Sequence, residues 1–181
     1  MRIFRPIAIA ILTLPAALLG GCATMASNDE PPRAASATIR DAAGALRGEA
    51  VIHIGAAGME LSILVSGLPA GTYGAHVHSV GQCAAPAFTS AGGHWNPASR
   101  QHGRLNPMGS HMGDLPNLVV GSDGRGELHY ALPGEPGGDG EGGLLDADGA
   151  ALVIHAAADD ERTDPSGNSG ARMACAVFIP A

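Results

Sequence analysis

Apolar and polar positions alternate with a period of two over much of this chain, the spacing of strands that cover one face. Ala50, Ile52 and Ile54 alternate with Val51 and His53; after a turn around 55–58, a second row follows at Met59, Leu61, Ile63 and Val65. Gly67-Leu68-Pro69-Ala70-Gly71 predicts another turn, leading into a strand that carries His76 and His78. Further strands are predicted over 118–120, 127–132, 152–155 and 173–179, with a turn at Ser122-Asp123-Gly124-Arg125. Two stretches break the alternation, 81–114 and 156–171. Irregular segments of that length in a compact domain are either functional or disordered. The pattern predicts an all-β fold, an antiparallel Greek-key sandwich or flattened barrel with two long functional loops.

Composition supports this architecture. A chain of 181 residues with 27 glycines and 13 prolines favours short strands and turns in one domain over long helices. The glycine-rich segment 133–143 reads as a loop. Asp146-Ala147-Asp148-Gly149 has too few ligand positions for a calcium loop and reads as a turn. Net charge is -7 and every basic residue is an arginine, so no basic stripe exists to neutralise a phosphate backbone and nucleic acid is excluded as a partner.

The N-terminus has the form of a targeting segment. Arg2 and Arg5 precede an apolar run over 7–19 that is too short for an ordinary transmembrane helix, and small residues lead into Cys22. Leu19-Gly20-Gly21-Cys22 resembles the lipobox of bacterial lipoproteins, which implies a signal peptide over 1–21 and lipidation of Cys22. An ordinary secretory signal with an incidental cysteine is the alternative. Ala23 after the cysteine resembles lipoproteins sorted to the outer membrane, so the expected location is periplasmic and lipid-anchored. Residues 22–36 lack periodicity and contain Asn28-Asp29-Glu30-Pro31-Pro32, a tether to a domain over 37–181. If Cys22 carries lipid, Cys83 and Cys175 remain, either as a pair or as two free thiols.

The candidate chemistry lies in six histidines and two aspartates: His76, His78, His94, His102, His111, Asp114, His155 and Asp159. Imidazole and carboxylate are ligands for zinc and copper. Positions i and i+2 on a strand share a face about 7 Å apart, so His76 and His78 can reach one ion, although His-x-His alone also occurs by accident on surfaces. His102, His111 and Asp114 fall in one loop with His94 and can complete a closed four-coordinate zinc set.

Several segments, in order, resemble copper/zinc superoxide dismutases. They are Gly74-Ala75-His76-Val77-His78, Gly93-His94-Trp95-Asn96-Pro97, His102-Gly103, 111–117 and 167–175. The resemblance implies the sandwich that those enzymes share with immunoglobulin-like domains. It also implies one copper and one zinc per subunit, with superoxide as substrate. Copper would be held by His76, His78, His94 and His155, and zinc by His94, His102, His111 and Asp114, with His94 as the bridge. Asp159 would orient His76 and His102, Cys83 and Cys175 would form the family disulfide, and Arg172 would guide a small anion to the copper. In the implied reaction one superoxide gives up an electron and leaves as oxygen, and a second takes that electron with protons from His94 and solvent and leaves as hydrogen peroxide.

The 155–172 segment is shorter than in the eukaryotic enzymes and lacks their lysine, leaving Arg162 and Arg172 as its cations. Two other readings compete: a lipoprotein that holds metal without turnover, and a structural domain with a zinc-stabilised loop. The second leaves His76, His78 and His155 unexplained. His53 and His129 are expected to face solvent, and Trp95 and Tyr130 to fill packing space. The sequence leaves open whether the chain forms a homodimer.

Overall fold

The computed structural model describes residues 33–134 and 143–180. Ten strands occur there: β1 (Arg33–Asp41), β2 (Leu46–Gly55), β3 (Gly58–Val65), β4 (Gly71–Tyr73), β5 (Ala75–His78), β6 (Leu118–Val120), β7 (Gly126–Leu132), β8 (Ala151–His155), β9 (Arg172–Val177) and β10 (Ile179–Pro180). Among the described residues the only helix is a 3₁₀ turn at Thr89–Ala91. The lipobox at Cys22, the signal peptide and most of the tether lie outside the described residues. Strand β1 begins at Arg33, inside the segment expected to be tether, and its Ala35, Ala37 and Ile39 enter the core. Alternating alanines carry little apolar signal, which is why the strand is faint in the sequence.

The strands form one antiparallel sheet in the order β4-β6-β7-β3-β2-β1-β9-β8-β5, with β10 added to β1. Strands β4 and β5 stand at opposite ends of that order, yet only Gly74 separates them in the chain. The sheet must therefore curl until its ends meet, which makes it a nearly closed barrel. Ile39, Ile52, Leu61, Ile63, Leu118, Leu152 and Ile154 fill its interior.

Strand β8 is buried on both faces, and this places the site. Leu152 and Ile154 point into the barrel, whereas Ala151 and Val153 join Phe88, Ala91 and Cys175 in a separate apolar cluster. The long loop after β5 thus packs on the outside of the barrel. A disulfide between Cys83 and Cys175 fastens it there.

The expectation for His53 needs correction. It is only 9% exposed, and Val51 on the same face is 7% exposed. Alternation reports which residues share a face; over 50–53 both faces of β2 are covered. His129 does face solvent, hydrogen-bonded to Ser62 and Glu127. Trp95 packs into the core, and Tyr130 packs against it beneath the Arg104 guanidinium.

Candidate metal centre

Strand parity decides where the histidines point. Ala75 and Val77 belong to the core, so His76 and His78 face outward from β5, while His155 shares the outward face of β8 with Ala151 and Val153. The loop then folds back along β5. Val77 N–H donates to Gly113 O, Trp95 N–H donates to Val77 O, and isolated bridges pair His76 with Asp114 and His78 with His94. Any side chain at Gly113 would meet Val77 O at 2.2 Å, so glycine is what permits this approach.

Two donor clusters result, and His94 belongs to both: His76, His78, His94 and His155 form one, and His94, His102, His111 and Asp114 the other. All eight residues singled out from the sequence, Asp159 included, come together here. In the second cluster, Asp114 Oδ1 lies 2.9 Å from His94 Nδ1, 3.0 Å from His102 Nδ1 and 3.1 Å from His111 Nδ1. Zinc–nitrogen bonds of about 2.0–2.1 Å in a tetrahedron imply donor separations of roughly 3.3 Å, so this cluster needs only a few tenths of an ångström of expansion. Asp114 Oδ2 accepts from the N–H groups of Gly103 and His111, which fixes the carboxylate.

In the first cluster each outer nitrogen is already engaged. His76 Nε2 contacts Asp159 Oδ2 at 2.7 Å, His78 Nδ1 donates to Gly92 O, and His155 Nδ1 donates to Gly170 O. The remaining nitrogens, His76 Nδ1, His78 Nε2 and His155 Nε2, are buried without a hydrogen-bond partner. Orphaned buried polar atoms cost about 1–3 kcal/mol each, and three converging imidazole lone pairs are the donor set that copper accepts. His94 directs Nδ1 into the zinc-type cluster, which leaves Nε2 for this one. The residues present therefore fit both metals.

The electrostatics of the first cluster suit ligation, whereas a metal in the second must displace a proton from His102. Burial, with repulsion from neighbouring histidines, pulls His78 down to about 2, His76 to about 3 and His155 to about 4, so these rings stay neutral as ligation requires. Burial acts against protonation of His102 too, but hydrogen bonds to Asp114 and Asp159 prevail and raise it to about 9. Those two carboxyls are held well below the usual range; burial works the other way and the histidine contacts outweigh it.

His94, His111, His155 and Arg172 line a cleft of about 840 Å³. The Arg172 guanidinium is held by the carbonyls of Phe88 and Gly92, both at 2.7 Å. Sequence reasoning missed the groups that do this holding. Gly92 O, Gly170 O and Asp164, whose Oδ1 accepts from His102 N–H, act through backbone geometry or from a distant loop, and no spacing signals them.

The family model described as copper/zinc superoxide dismutase (SODC) matches residues 46–178. The chain is 44% identical over 124 residues to a superoxide dismutase-like protein, YojM, of Bacillus subtilis, an alignment covering 67% of this chain and 63% of that protein. It is 39% identical over 147 residues to a Cu-Zn superoxide dismutase of Caulobacter vibrioides, covering 80% of this chain and 84% of the relative. A crystal structure of a SOD-like protein from Bacillus subtilis superposes with a TM-score of 0.76 at 38% identity, covering 82% of this chain and 100% of that one.

Proposed function

Because the chain belongs to the copper/zinc superoxide dismutase family, we propose that it dismutates superoxide outside the cytoplasm, anchored to a membrane through Cys22, with copper at His76, His78, His94 and His155 and zinc at His94, His102, His111 and Asp114. Its chemistry converts two superoxide anions and two protons into one dioxygen and one hydrogen peroxide, one anion being oxidised and the other reduced. Bound copper supplies the one-electron redox step, while zinc, with a single oxidation state, organises the site.

The chain's own residues do the rest. Arg172 offers a fixed positive charge at the cleft, which attracts and orients a small anion. His94 Nε2, when no metal engages it, can carry a proton to the anion being reduced, with its ring held from the other side by Asp114. Asp159 sets the ring angles of His76 and His102 through its two oxygens.

The observation that carries this reading is the trio of partnerless buried nitrogens on His76, His78 and His155 beside a second cluster that shares His94. The test is the superoxide decay rate of protein loaded with stoichiometric copper and zinc, with metal content measured on the same sample. A rate near about 10⁸–10⁹ M⁻¹s⁻¹, a ceiling for which superoxide dismutase is itself a standard example, supports it. A negligible rate with both metals bound would assign the chain to metal holding instead. For the anchor, Cys22→Ala should release the protein from membranes; persistent membrane association would sink that part.

A further inference from the structure

Asp159 is held in turn by a residue that neither touches a metal cluster nor enters the reaction. The Asn117 carboxamide takes both backbone groups of Asp159: its Nδ2–H donates to Asp159 O at 2.8 Å, and Asp159 N–H donates to its Oδ1 at 2.8 Å. Only a carboxamide offers a donor and an acceptor side by side on so short a stem. Asn117 is itself rigidly seated, because Leu115 on one side and Leu118 on the other are buried in the core.

The rest of the cradle leaves Asp159 no freedom. Glu161 N–H donates to Oδ1 at 2.6 Å, and a side chain at Gly167 would meet that same oxygen at 1.6 Å. The carboxylate's direction therefore follows the Asp159 backbone, and the backbone follows Asn117. The contacts close a ring. Asp114 Oδ1 meets His102 Nδ1 at 3.0 Å, His102 Nε2 meets Asp159 Oδ1 at 3.0 Å, Asp159 is clamped by Asn117, and Asn117 lies three positions after Asp114. Asp114 and Asp159 cannot shift independently while this ring is intact.

From this geometry we infer that Asn117 is a positioning residue for the metal centre, setting zinc affinity and the zinc-site geometry through Asp159; the inference rests on the metal-ligand assignment given above. Loss of groups that orient metal ligands lowers affinity about 10–100-fold, and Asn117, one contact further out, belongs at the lower end of that range.

The experiment uses full-length Asn117→Ala and Asn117→Asp proteins beside the wild type, with Ile63→Val in the barrel core as a control for general destabilisation. Zinc affinity is measured by chelator competition, and cobalt(II) placed in the zinc site reports ligand geometry through its visible absorption bands. Both Asn117 variants should lose about tenfold in zinc affinity and alter the cobalt bands, while Ile63→Val alters neither. Should the alanine variant fail to fold, the aspartate variant decides, since it keeps an acceptor for Asp159 N–H, loses the donor and sets a carboxylate oxygen against Asp159 O. Wild-type affinity and cobalt bands in a folded Asn117 variant, or equal changes in Ile63→Val, would overturn the inference. Wild-type protein that takes up no zinc would overturn the ligand assignment, and the inference with it.

Discussion

Arg172 and His78 share one acceptor: the carbonyl oxygen of Gly92 lies 2.7 Å from Arg172 Nη2 and 3.0 Å from His78 Nδ1. The cation proposed to guide the anion and an imidazole of the proposed copper set are thus referenced to the same backbone atom, which lies in the loop fastened by Cys83. Replacing Arg172 with glutamate should slow turnover at least about tenfold with both metals retained, because the charge at the cleft reverses while no metal donor is removed. Stopped-flow superoxide decay with parallel metal analysis checks this, and unchanged kinetics would mean the arginine does not serve the substrate.

His155 belongs to one cluster only. His155→Ala should abolish dismutation and weaken copper binding while zinc stays bound, since His94, His102, His111 and Asp114 are untouched. Metal analysis after dialysis, together with the decay rate, reads both halves. Retained activity would remove His155 from the copper set.

The Cys83–Cys175 bond joins positions 92 apart and fixes the loop that carries Gly92. Cys175→Ser should lower unfolding stability by about 2–4 kcal/mol, measured by denaturant titration of the metal-loaded protein. A smaller loss would show that the apolar cluster around Phe88 and Val153 fixes the loop by itself.

Asp160 organises the turn beside Asp159. Its side chain accepts hydrogen bonds from the Thr163 hydroxyl and from the N–H groups of Thr163 and Arg162, and these depress its carboxyl to about 2. A carboxyl depressed in the folded state stabilises above its ordinary pKa near 4, and that contribution disappears as pH falls from about 4 towards 2. The amide resonances of Arg162 and Thr163 should therefore titrate with a midpoint near 2; a midpoint near 4 would show that the turn is not closed in solution.

Most of this architecture was legible because strand periodicity and ligand chemistry both leave marks in sequence. The rows at Ala50, Ile52 and Ile54 and at Met59, Leu61, Ile63 and Val65 form neighbouring strands in direct register, Ile52 opposite Leu61. The histidines stood out because most of the eight fall in recognisable short motifs. What stayed hidden depends on contacts between distant segments. His53 looked solvent-facing because alternation cannot tell whether a strand's second face is covered. Strand β1 escaped notice because alanine at positions 35 and 37 is buried in the core but carries little hydropathic signal. Asn117 stood in a recognised motif, yet its role needs residue 159 brought beside it, and only folding does that.

Strand β5, the last in the sheet order, has β8 on one side and, on the other, the loop that carries the zinc-type donors, through Gly113, Trp95 and the bridges to Asp114 and His94. That loop is a seal over an open hydrogen-bonding edge, and the seal is made of metal donors. Stripping the metals should loosen it and bare a short row of backbone groups able to template strand addition from another molecule. Colloidal behaviour would then report metal status: light scattering should rise in chelated samples and fall when zinc is restored, and equal scattering in both would show that the seal holds without its ions.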